Sequence, residues 1–148
     1  MATLRHRMMR RGNAIGLWFH RRFRGRLDSG GSATVLMLTS PGRRTGQPRS
    51  VMVRYLPYDG GYLVWGTGSG SPTEPDWFRN LRRATRADVE IGTTSQPVTP
   101  RVLTGPERDR VWREVVLAAA PGVAKYEAKA GRIIPVAVLQ PVEPKPAG

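Results

Sequence analysis

The sequence predicts a mainly β fold, a β-rich α+β domain built as a small antiparallel barrel with flanking helices. Three observations carry that expectation. Short apolar or alternating runs recur at residues 33–39, 50–56, 62–65, 88–91, 98–103 and 134–139, most of them bounded by turn-forming residues. The 148 residues include 17 Gly and 13 Pro, which suits many turns better than a helical bundle. Inside the domain only two stretches carry clear helix-start chemistry, Glu74-Pro75-Asp76 and Thr104-Gly105-Pro106-Glu107. The length is that of one domain able to bury a proper core.

Residues 1–27 hold eight Arg, two His and no acid. Leu4, Met8, Ile15, Phe19 and Phe23 recur at helical spacing, so this arm reads as a basic amphipathic helix. It lacks the uninterrupted apolar core of a secretory signal and is too polar to span a bilayer. Lying on an anionic membrane surface and packing on the domain are both open to it. Asp28-Ser29-Gly30-Gly31-Ser32 is a flexible joint, residues 33–142 form the domain, and residues 143–148 are a Pro-rich tail.

Residues 33–39 read as a buried strand. Gly42-Arg43-Arg44-Thr45-Gly46-Gln47-Pro48-Arg49 follows, a glycine-bracketed loop with three arginines. Its glycines let backbone N–H groups approach an anion, and Arg43, Arg44 and Arg49 present planar forks that match phosphate or carboxylate. An ordinary basic hairpin turn has the same composition, and the Gly-Lys-Ser/Thr ending of the nucleotide P-loop is missing. Residues 50–56 alternate as a strand with one wet face. Pro57-Tyr58-Asp59-Gly60-Gly61 is a turn by its chemistry, and residues 62–65 return as a strand.

Gly66-Thr67-Gly68-Ser69-Gly70-Ser71-Pro72-Thr73 is a second polar loop just past a strand end, suited to another stretch of one ligand. The helix after it should bury Trp77, Leu81 and Ala84. Residues 88–91 and 98–103 form a further pair of strands. A capping box at Thr104 and Glu107 should open a helix from about residue 106 to 119, burying Val111, Val115 and Ala118 or Ala119 with Trp112 beside them. A short segment around Tyr126 precedes the last strand, residues 134–139.

Charge is unevenly placed. Residues 1–54 contain twelve arginines against one acid, Asp28, and so carry eleven of the thirteen net positive charges. Such a field draws nucleic acid, anionic lipid or a polyanionic small molecule. Nucleic acid ranks last, because the aromatics are not interleaved with the arginines as a stacking platform. The absence of cysteine excludes disulfides, thiolate metal sites and a Cys nucleophile, and it fits a cytoplasmic protein. With only His6 and His20 in the chain, no metal site is expected.

Several stretches together resemble one family, the deazaflavin-dependent nitroreductase-like oxidoreductases of actinobacteria. They are Leu36-Met37-Leu38-Thr39-Ser40-Pro41 with the arginine loop, Tyr62-Leu63-Val64 with its Gly/Ser loop, Pro75-Asp76-Trp77-Phe78-Arg79-Asn80-Leu81, and Arg132-Ile133-Ile134-Pro135-Val136. The resemblance implies a split β-barrel of the flavin-reductase, FMN-binding type and the deazaflavin coenzyme F420, which carries a phosphate and an oligoglutamate tail. By that likeness Arg43, Arg44, Thr45 and Arg49 bind the anionic part. Ser50, Val51, Met52, Val53 and Arg54 lie along the linker and ring. Gly66, Thr67, Gly68 and Ser69 offer N–H groups near ring or phosphate, and Asp76, Trp77, Phe78, Arg79 and Asn80 wall the same groove.

The implied chemistry is hydride transfer from reduced coenzyme to a small electron-poor acceptor such as a quinone, an enone or a nitroaromatic. Tyr126 is the candidate catalytic residue, as proton donor or substrate contact, with water as the other donor. Of the family's tyrosine cluster only Tyr126 is present, Ala120 and Val123 taking the other places, and Ser69 stands where a lysine is often found. The smaller residues imply a more open apolar pocket and a lipophilic acceptor, in keeping with an arm at the inner face of the cell membrane. A homodimer is a further expectation, since this barrel type often pairs. The alternative function is a non-catalytic binder of F420, or of a fatty acyl or other anionic lipid.

Overall fold

A computed structural model describes residues 34–142, so the arm, the joint and the tail lie outside the described residues. The strands are β1 (Val35–Pro41), β2 (Pro48–Arg54), β3 (Leu56–Tyr58), β4 (Gly61–Trp65), β5 (Ala87–Ile91), β6 (Thr94–Val102) and β7 (Val136–Pro141). They form one antiparallel sheet in the order β2-β1-β5-β6-β7-β4-β3. β2 and β3 are the two outermost strands of that order, yet a single residue, Tyr55, separates them in the chain. The sheet must therefore curl until its edges meet, which makes a split barrel. The Tyr55 ring stands edge-on to Tyr62 of β4 at 5.5 Å and spans the meeting point. Burial, and then the neighbouring Tyr62, hold the Tyr55 hydroxyl above the ordinary tyrosine pKa.

Residues 50–56 are thus not one strand. The alternation runs straight through Tyr55, so nothing in the pattern marks the change of edge. Pro57 and Tyr58 belong to β3, opposite Tyr62 and Gly61. The turn is only Asp59-Gly60, both at positive φ (51° and 75°), as tight hairpins between twisted strands require.

Alternation divides the sheet's two faces. Leu36, Leu38, Val53, Val64, Val89, Val98, Ala137 and Leu139 fill the barrel interior, together with Phe78 and Leu81 from helix α1 (Asp76–Arg83). Leu63, Trp65, Val136 and Val138 point the other way, under a helical cover. That cover consists of α2 (Gly105–Val111), a π-helical turn (Trp112–Val116), a last turn (Leu117–Ala119), a 3-10 turn (Pro121–Val123) and α3 (Ala124–Ala130). β7 is consequently buried on both faces.

Three details of the helices differ from the sequence expectation. In α1 the buried face is Phe78 and Leu81, while Trp77 is half-buried at the cluster's edge with its ring 5.3 Å from Phe78. In the second helical stretch the π turn inserts a residue and rotates the later positions, so Val111, Trp112, Val116 and Ala120 are buried, Val115 only in part, and Ala118 and Ala119 are exposed. The capping box does not form, for Thr104 makes no side-chain cap bond and Glu107 pairs with Arg101 at 2.8 Å. Among the described residues no helix is long and apolar enough to cross a membrane, and no group of His, Asp or Glu could hold a metal ion.

Candidate functional site

The arginine loop joins β1 to β2 and is held from within and from the side. Gly42 N–H donates to Gln47 O at 2.7 Å, Gly46 N–H donates to Gly42 O at 2.8 Å, and the Thr45 hydroxyl accepts from Gln47 N–H at 3.2 Å. Gly46 takes φ 73°, which favours glycine. The amides of Gly42 and Gly46 are thus both used inside the loop.

Arg43 is committed as well. Its N–H and Nη1 both donate to Asn80 Oδ1, at 3.2 and 2.8 Å, and its Nη2 reaches Asp76 Oδ1 at 3.1 Å. Asp76 and Asn80 are four residues apart on α1, so one face of that helix grips the loop. Asn80 is buried for this purpose, at 6% exposure. Arg44 and Arg49 are exposed and make no ion pair with a described residue. The cationic groups left for a ligand are therefore Arg44 and Arg49, with Arg43 as the anchor that fixes them.

Along β2, Val51 and Val53 turn into the barrel, and Val53 is buried there. Ser50, Met52 and Arg54 take the opposite face, the Ser50 hydroxyl bonded to Thr39 at 2.8 Å. Arg54 is exposed. Phe78 is fully buried beneath Gly66, where an added Cβ would meet Phe78 Cδ2 and Pro135 Cγ at 3.1 Å. Phe78 and Val53 thus face the core rather than an open groove. Trp77 and Arg79 are half-buried, and Arg79 follows Asp76 by three residues on the gripping face.

The loop after β4 carries Gly66 to Thr73. Gly66 N–H donates to Pro135 O at 3.0 Å, and residues Gly68–Gly70 make a 3-10 turn lying against Pro75 on one side and α3 on the other. No hydrogen bond among the described residues uses the amides of Gly68 and Ser69. Tyr126 is half-buried on α3, three residues before Lys129, whose stem lies on Gly70; Lys125 Nζ stands 5.2 Å over the Tyr126 ring. Ala120 and Val123 are buried at 6% and 2% in the helical cluster with Trp112. Arg132, which was not among the site residues expected from the sequence, donates four hydrogen bonds to carbonyls of this loop. No spacing rule pairs it with a loop some sixty positions earlier.

The arrangement brings the arginine loop, the start of α1 and the Gly/Ser loop into one connected unit. Exposed guanidinium groups stand on this unit, and the fold is a split β-barrel of the flavin-reductase class. The family model for F420H(2)-dependent quinone reductase matches residues 15–141. An F420H(2)-dependent quinone reductase of Mycobacterium tuberculosis is 33% identical over 116 residues, 74% of this chain and 74% of that protein. The chain belongs to the F420H(2)-dependent quinone reductase family, oxidoreductases that use coenzyme F420. A solved F420-H2 dependent reductase superposes with TM-score 0.64 at 29% identity, over 72% of this chain and 94% of that one. A further solved structure described as a domain-swapped dimer gives TM-score 0.64 at 26% identity, over 82% of this chain and 97% of that one.

Proposed function

We propose that this chain holds reduced coenzyme F420 across the arginine loop and the Gly/Ser loop and reduces a lipophilic quinone. The observation that carries the reading is the anchoring of Arg43 to Asn80 and Asp76, which leaves Arg44 and Arg49 exposed on a fixed loop. Guanidinium forks with no ion pair among the described residues fit the phosphate and carboxylates of that coenzyme. When bound, the reduced deazaflavin supplies the hydride. The residues bind and orient: Arg44 and Arg49 take the anionic tail, Ser50, Met52 and Arg54 border the linker, and the Gly68 and Ser69 amides donate near ring or phosphate. Asp76, Trp77, Arg79 and Asn80 wall the site. Tyr126 or water returns a proton to the reduced quinone oxygen.

Two features support a lipophilic acceptor. Ile133, a large apolar side chain exposed at 75%, follows Arg132 in the chain, and residues 1–27 have the pattern of a membrane-surface helix. In this reading residues 33–142 are the coenzyme domain, the arm touches the inner face of the cell membrane, and the chain pairs as a homodimer. The test is anaerobic mixing of the protein and reduced coenzyme with water-soluble and isoprenoid quinones, enones and nitroaromatics. Turnover with quinones, fastest with the lipophilic ones, is the expected result. Tight coenzyme binding with no turnover of any acceptor would leave a non-catalytic binder.

A further inference from the structure

The Gly/Ser loop holds one residue, Ser69, in a backbone conformation that its side chain does not favour. Gly68, Ser69 and Gly70 are left-handed in succession, at φ 55°, 55° and 87°. For Ser69, an L-residue, that conformation is disfavoured and persists only where the surroundings over-determine it. Besides Pro75 and the turn's own backbone bonds, two side chains hold it. Lys129 lays its stem on Gly70, where an added Cβ would come 3.0 Å from Lys129 Cβ. Arg132 donates from Nε to Ser71 O at 3.0 Å, and from Nη2 to Gly66 O, Thr67 O and Thr73 O at 3.1, 3.2 and 3.1 Å.

One guanidinium thus gathers four loop carbonyls while the amides of Gly68 and Ser69 stay unused. Its Nη1 is buried without a partner among the described residues, so the side chain is arranged around the loop rather than for its own full hydrogen bonding. We propose that Arg132 is the positioning residue that sets the polarity of this loop: it withdraws the acceptors, so that the loop meets an anionic coenzyme with donors. The inference rests on the coenzyme reading above. A lysine could not replace it, because a point-like ammonium cannot span oxygens distributed around a planar fork.

The test uses the full chain with Arg132→Lys and two measurements, amide hydrogen exchange of residues 66–73 without coenzyme and coenzyme affinity by tryptophan quenching. Exchange in that segment should rise by about tenfold while the strands keep their protection. The coenzyme Kd should rise by about tenfold, with kcat at saturation within about twofold of wild type. Adding Ser69→Gly to Arg132→Lys should recover part of the affinity, because glycine takes the left-handed turn unaided.

A folded Arg132→Lys protein with wild-type loop exchange and wild-type Kd would overturn the proposal. Should that variant not fold, Gly70→Ala strains the same turn from the Lys129 side. It must weaken coenzyme binding, and an unchanged Kd would overturn the proposal equally. Wild-type protein that does not bind the coenzyme would instead sink the coenzyme reading, and the exchange data would still judge the loop.

Discussion

Asn80 Oδ1 accepts two hydrogen bonds from one residue, Arg43, through its backbone N–H and its guanidinium. The amide of α1 thereby fixes both where the arginine loop runs and where its first side chain lies. Asn80→Ala removes both bonds and leaves Arg43 with the exposed Asp76 alone. We expect a loss of about 1–3 kcal/mol in stability, from a buried polar group whose partner is left behind, together with weaker coenzyme binding. Urea melts and a coenzyme titration measure the two effects. Asp76→Asn should change stability little, since that carboxylate is 81% exposed.

Arg44 and Arg49 make no ion pair with a described residue, so their roles separate from folding. The double variant Arg44→Ala, Arg49→Ala should keep stability within about 0.5 kcal/mol. Its coenzyme Kd should rise about tenfold or more, and the salt dependence of binding should flatten. Titrations at low and high salt, beside FMN as control, decide it. Equal affinity in variant and wild type would move the anion site elsewhere.

Thr104 makes no cap bond, so Thr104→Ala should cost under about 0.5 kcal/mol rather than the roughly 1 kcal/mol of a working cap. Val116→Ala, in the π turn, removes a fully buried side chain and should cost about 2 kcal/mol or more. Thermal melts of the two variants give the contrast. A large loss for Thr104→Ala would mean that a cap forms in solution.

The raised pKa of Tyr55 gives a pH signature at the barrel seam. A group whose folded pKa lies above its unfolded value, near 10 for tyrosine, contributes stability that is complete below that value. The contribution is lost as pH rises through the folded pKa. Denaturant melts should show the wild type losing stability relative to Tyr55→Phe above about pH 10, and not between pH 6 and about pH 9. Parallel curves throughout would show that the hydroxyl is not shielded.

Gly61 pairs with Tyr58 in the β3–β4 hairpin, and a Cβ there would collide with the Leu139 carbonyl of β7. That obstacle is backbone and cannot swing aside. Gly61→Ala should therefore cost more than about 2 kcal/mol or abolish soluble expression, whereas Gly92→Ala meets open space and carries only the strain of φ 61°. Comparing the soluble yield and melting of the two variants separates collision from strain.

Much of this molecule is legible from its residues because a period of two and a turn chemistry are local. The β1–β2 hairpin, the Asp59-Gly60 turn and the arginine loop all follow from neighbours in the chain. What escaped is non-local. Glu107 is drawn from its cap by Arg101 across six residues, and Phe78 displaces Trp77 because Gly66 opens space for it from the loop after β4. The use of the Gly42 and Gly46 amides inside the arginine loop depends on how that loop closes. Arg132 reads as one cation before a strand until the fold sets it under four carbonyls.

The joint at Tyr55 also limits how such chains can vary in length. One residue carries the backbone from one margin of the sheet to the other, with Tyr55 N–H bonded to Thr34 O at 3.1 Å. An inserted residue there would shift β2 against β1 by one place and turn Ser50, Met52 and Arg54 inward in place of Val51 and Val53. Insertions and deletions must fall elsewhere, in the surface turns and among the helical turns between β6 and β7. The barrel's closure therefore keeps the spacing from Val53 to Leu56, across the joint, constant in any relative that folds this way, whatever it reduces.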